Sequence, residues 1–180
     1  TVLGARQAEL SAELQREVNT LGRLIYGFEN WGVEDDFSLV DKAKMDDLCR
    51  ICGKIRHLCS VGTEGTTATE VQAMLLQTEF LSHVSYSLSL ELQDFIPSCR
   101  TYLKSVTGAL CSAALRFVRG NPKNQGLMFA TVSLAANFMD EQPECALLLA
   151  EIFRGNLELC QQVPEDLVHE MGNLIVRERR

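Results

Sequence analysis

Apolar residues near the start of the chain fall at helical spacing. Leu14, Val18, Leu21, Ile25 and Phe28 follow steps of four, three, four and three, which sets all five on one stripe of a helix. The stripe stops at Asn30-Trp31-Gly32, and the three acids between Val33 and Phe37 predict a solvated loop. Ser38 with Asp41 is a start signal for a second helix over about 39–59, which buries Leu48, Ile51, Cys52, Ile55, Leu58 and Cys59 and is ended by Gly62. Thr67-Ala68-Thr69-Glu70 is a capping box that opens a third helical stretch with Val71, Met74 and Leu75 inward. Residues 79–92 either continue that stretch or break and restart. Phe80, Leu81, Val84, Leu88 and Leu92 give a helical stripe, while 82–90 also carries some strand-like alternation.

Pro97 marks a boundary, because the residue before a proline is pushed away from helical geometry. Beyond it Leu103, Val106, Leu110, Ala114 and Phe117 line the next helix. Gly120 stands where a C-cap glycine would, and Asn121-Pro122 reads as an N-cap with proline at the first helical position. The helix that starts there is expected to run through Leu127, Val132, Leu134 and Met139. After 140–143, a helix from Cys145 to Arg154 ends at Gly155-Asn156, and a last one after Pro164 presents Leu167, Val168, Met171, Leu174 and Ile175. The sum is an all-α chain of about seven or eight helices, expected to form an armadillo-like antiparallel helical solenoid.

That architecture follows from a repeat. Phe117-Val118-Arg119-Gly120-Asn121 is echoed by Ile152-Phe153-Arg154-Gly155-Asn156, an offset of 35 residues. Apolar positions recur at the same offset: Leu110 with Cys145, Ala114 with Leu149, Phe117 with Ile152, Val132 with Leu167, Ala136 with Met171 and Met139 with Leu174. Stacked helix pairs leave this trace, because each pair buries its apolar face on the next.

Composition narrows the function. The net charge of -7 argues against a nucleic-acid partner, since phosphate binding needs a basic patch. Seven cysteines at no framework spacing imply free thiols and a reducing, cytosolic setting. No apolar run reaches 18 residues, so direct membrane insertion by this segment is not expected. The chain has no initiator Met and reads as one domain cut from a longer protein.

Two constellations invite chemistry. Cys49, Cys52, His57 and Cys59 offer three thiols and an imidazole, but Cys52 and Cys59 share the apolar stripe while Cys49 and His57 are turned away from it. One regular helix cannot close all four tetrahedrally on zinc, so core packing is the expectation and no metal or cofactor is assigned. The second is the pair of Arg-Gly-Asn corners. Arg119, Asn121, Asn124, Gln125, Arg154 and Asn156 form a candidate interaction surface, where guanidiniums and turn amides would meet a carboxylate. The plain alternative is that Gly stops one helix, Asn caps the next and Arg balances the helix dipole. His83 and His169 stand without a Ser, Cys or Asp partner at motif spacing, and no catalytic motif is present, so no enzyme activity is expected.

Three stretches resemble the RIH domain shared by ryanodine receptors and inositol trisphosphate receptors. Residues 113–127, with Gly120-Asn121-Pro122-Lys123-Asn124-Gln125-Gly126-Leu127, are similar to that family's Gly-Asn-x-x-Asn-Gln-x-Leu turn. Residues 150–160, with Ile152-Phe153-Arg154-Gly155-Asn156 and Leu159-Cys160, are similar to a later segment, and residues 48–59 with 72–76 resemble the paired helices that precede. The resemblance is strongest over 48–175; residues 3–38 match nothing in it, and the family's dense Arg/Lys ligand cluster has no counterpart. It implies a non-ligand-binding, non-catalytic scaffold on the cytosolic side of a calcium-store membrane. Its partners would be other domains and neighbouring subunits of a calcium-release channel. A soluble armadillo-like adaptor binding a peptide or protein on its concave face is the alternative.

Overall fold

The computed structural model describes residues 2–28, 39–91, 94–95, 97–139, 142–163 and 165–169. Helices joined by turns make up the described residues, which hold no strand beyond a single isolated bridge between Thr63 and Thr66. Helix α1 spans Val2–Ile25, α2 Leu39–Val61, α3 Ala68–Leu76, α4 Phe80–Ser89 and α5 Pro97–Val118. Helix α6 covers Pro122–Met128, a 3₁₀ turn Phe129–Thr131, α7 Val132–Ala136, α8 Pro143–Phe153 and α9 Leu157–Cys160. The stripe of α1 is buried as its spacing requires, with Leu14, Val18, Leu21, Ile25 and Phe28 all at 1% exposure or less.

The long helices stack in chain order, α2 against α5 and α5 against α8. Each is followed by a turn and a short helix: α2 by α3, α5 by α6, α8 by α9. In all three turns a glycine holds φ between +65° and +69°: Gly62, Gly120 and Gly155. That left-handed conformation suits glycine and lets the chain reverse directly after a helix. The short helix then begins on a side-chain cap, from Thr67, Asn121 or Asn156. At Thr67 the capping box is complete, with Thr67 N donating to Glu70 Oε2 at 2.7 Å and Glu70 N donating to Thr67 Oγ1 at 3.3 Å.

One apolar interior runs through the stack. Phe80 of α4 meets Phe117 of α5 edge to face at 5.8 Å, and Phe129 meets Phe153 of α8 at 6.0 Å. Helix α1 lies across α2, α3 and α4. Lys54 of α2 ties to it by donating to both Glu13 and Glu17.

Several expectations are corrected. The helix opened by Pro122 does not run through Met139: it breaks at Phe129 into a 3₁₀ turn and restarts as the five-residue α7, leaving Leu127 at 41% exposure. Residues 79–92 restart rather than continue, with α4 beginning at Phe80, and the strand-like alternation is not realised. The breaks raise the number above the seven or eight expected: α1 to α9 are nine α-helices, and residues 165–169, where a last helix is expected, are helical as well. The acidic loop at 33–37, Ser38, Leu92, Met171, Leu174 and Ile175 lie outside the described residues.

Candidate functional site

The last turn of any helix leaves carbonyls without an intrahelical donor. At the end of α5 a side chain from another unit supplies one. Gln72, from α3, donates through Nε2 to the carbonyls of Arg116 at 2.8 Å and Arg119 at 3.1 Å. Its Oε1 accepts from Asn121 Nδ2 at 3.2 Å, while Asn121 Oδ1 accepts from the amide of Asn124 and so caps α6. Asn124 Nδ2 donates to the Phe117 carbonyl at 2.9 Å.

The second corner repeats the glutamine and N-cap bonds, with Leu159 standing where the first has Asn124. Gln125, from α6, donates through Nε2 to the carbonyls of Glu151 at 2.9 Å and Arg154 at 3.1 Å. Its Oε1 accepts from Asn156 Nδ2 at 3.1 Å, and Asn156 Oδ1 accepts from the amide of Leu159. Each glutamine thus clasps the C-terminus of the long helix in the next unit to the N-cap of the short helix behind it. Because Gln125 sits on the short helix that the first corner opens, the two corners lie in one row and are joined through α6.

The structure therefore brings the sequence candidates together. The amide nitrogens of Asn121, Asn124, Gln125 and Asn156 are engaged inside the fold, Asn124 and Gln125 are 1% and 2% exposed, and Asn124 Oδ1 is buried without a hydrogen-bond partner among the described residues. The side chains of Arg119 and Arg154 stay exposed, Arg154 Nε lying 3.0 Å from the carboxylate of buried Glu151. Two cations thus mark successive corners over an interior polar lattice.

Sequence reading did not single out Gln72 as a site residue. Its only signal is position: it stands five residues after the cap Thr67, and Gln125 four after the cap Asn121. The offset between the two glutamines is not the 35 of the corners, so the repeat does not reveal the donor.

Cys52 and Cys59 are in the core, and burial pushes the Cys59 thiol up to about 12 and raises that of Cys52 further. His57 is exposed, so the four groups at 49–59 face different surroundings, and no three His, Cys, Asp or Glu among the described residues converge as a metal site. Cys111 of α5 and Cys145 of α8 touch at 3.1 Å between sulfurs, both fully buried. His83, which stood alone in the sequence, is 4% exposed and packs on α1, its Nδ1 lying 3.3 Å from Tyr26 Oη.

Comparison of the chain with protein-family models, with curated proteins and with solved structures finds no match.

Proposed function

We propose that this chain is a non-catalytic, armadillo-like solenoid module of an intracellular ligand-gated calcium-release channel, of the inositol trisphosphate receptor type. It would stand on the cytosolic side of the store membrane and touch other domains of the same channel and neighbouring subunits. The observation that carries this reading is the doubled glutamine clasp, whose first corner has the Gly-Asn-x-x-Asn-Gln sequence that resembles the RIH turn. A clasp that satisfies helix-end carbonyls only when neighbouring units are in register favours rigid-body motion of the stack over bending within it. Packed interfaces with discrete arrangements can pass such motion between distant sites.

The test is calcium efflux from store vesicles of cells expressing the complete reading frame. Agonist-evoked release that Gln125→Ala weakens, with the protein still present at normal level, supports the reading. A reading frame without membrane spans, or release unchanged by the substitution, contradicts it.

A second reading, a peptide-binding adaptor, is favoured by the exposed side chains of Arg119 and Arg154. With the asparagine amides engaged internally, such a partner would meet the guanidiniums. Loss of partner binding in the Arg119→Ala, Arg154→Ala double variant supports this reading, and unchanged binding contradicts it.

A further inference from the structure

Away from the corners, a cleft of about 720 Å³ opens between α1 and the start of α4, lined by Arg16, Asn19, Thr20, Gly22, Arg23, Tyr26, Glu79 and His83. Its floor depends on a missing side chain. A Cβ at residue 22 would lie 2.5 Å from His83 Nε2, so glycine in the last turn of α1 is what lets the imidazole seat against the helix. Above that floor run Arg16, Asn19, Thr20 and Arg23, on one face of α1.

Two features of this face point to a ligand. Other basic side chains of the protein meet carboxylates, as Lys44 meets Asp41, Arg50 meets Asp47 and Arg6 meets Glu64, yet Arg16 and Arg23 pair with no carboxylate among the described residues. Among the described residues Arg23 meets the hydroxyl of Thr20, at 3.1 Å. Beside them Tyr26 is 48% exposed and packs tilted against Tyr86 at 4.7 Å and edge-on to His83 at 5.4 Å, giving an aromatic wall. Two guanidiniums and an aromatic wall are the parts of a groove for an acidic, proline-containing segment.

The spacing is specific. Arg16 and Arg23 are seven residues apart, close to two helical turns, which sets their Cα atoms roughly 10 Å apart on one face. A polyproline II segment rises about 3.1 Å per residue with three residues per turn, so side chains three apart share a face about 9 Å apart. A β-strand would turn those two side chains to opposite sides. We infer that the cleft between α1 and α4 docks an acidic segment in polyproline II form, with two carboxylates three residues apart, one on Arg16 and one on Arg23. The intervening residues pack on Tyr26, and Asn19 donates to the peptide backbone through Nδ2, its Oδ1 already accepting from Gln15. Glu79 on the facing wall repels a continuous acidic run and so selects spaced acids.

The probe is the peptide Ac-Glu-Pro-Pro-Glu-Pro-amide, titrated into the folded protein at low salt with amide chemical shifts as readout. Saturable shifts at Arg16, Asn19, Arg23 and His83 are expected, weakening on the order of tenfold in Arg16→Gln or Arg23→Gln and unchanged in Arg50→Gln. The peptide arms do not depend on any variant folding. Ac-Gln-Pro-Pro-Gln-Pro-amide should not bind, and Ac-Glu-Glu-Pro-Pro-Pro-amide should bind several-fold more weakly. Equal binding of all three peptides, the same shifts produced by inorganic phosphate alone, or shifts confined to Arg119 and Arg154 would each overturn the inference. The last would move support to the adaptor reading.

Discussion

Gln125 carries a larger share of the structure than its residue type suggests. Its amide is the external donor to two helix-end carbonyls and the acceptor for the Asn156 side chain. Gln125→Ala removes all three bonds and strands polar groups in a buried setting, so a loss of about 1–3 kcal/mol is expected from urea denaturation. Gln125→Glu should cost more at neutral pH, because a carboxylate cannot donate and would face the carbonyl oxygens it replaces a donor for. A variant order in which Glu is better tolerated than Ala would mean that the contact is steric, not a hydrogen bond. At His83 burial depresses the imidazole pKa from 6.5, opposed by the nearby Glu79 carboxylate and by the Val18 carbonyl. Tyr26, Arg16 and Arg23 are the other charged and titratable groups that line the cleft with it among the described residues. As pH falls through the ordinary histidine range the unfolded chain takes up this proton first, so stability is full above about 6.5 and declines below it. Denaturation midpoints should fall between pH 7 and about 5, and His83→Gln should flatten that slope. A slope unchanged in the variant would place its origin in other groups.

Among helices, two interior glycines make opposite predictions. Gly53 in α2 has open space where a Cβ would sit, so Gly53→Ala should stabilise by roughly 0.5–1 kcal/mol through helix propensity. Gly22 in α1 gains the same propensity but meets His83, and Gly22→Ala should destabilise despite it. Thermal melts of the two variants should therefore move in opposite directions, and His83→Ala should restore part of the Gly22→Ala loss. Movement in the same direction would contradict the close approach of α1 and α4. Elements whose ends are set locally were legible from the sequence, including the Thr67 capping box, the Gly120 and Gly155 stops and the α1 stripe. The break at Phe129–Thr131 was not, because Leu127 and Leu134 keep a helical period across it and no proline announces it.

Across the molecule, the 35-residue echo made the corners legible but not what holds them. Side-chain clasps join residues 44 to 49 apart at the first corner and 26 to 31 at the second, so no single period connects donor and acceptor. Cys111 against Cys145 and Gly22 against His83 are likewise tertiary facts, invisible to patterns that read along one helix. The repeat also hid its own first member. The α2–α3 unit shares the corner glycine and the cap with the other two but replaces Gly-Asn by a longer turn through Thr63–Thr66. Glutamine clasps join three units, each a long helix followed by a short one. Native-state hydrogen exchange on Gln125→Ala tests this joining most directly. Faster exchange is expected across residues 143–160, with protection in α1 and α2 preserved. Uniform acceleration over all helices, or no change in α8 and α9, would contradict it.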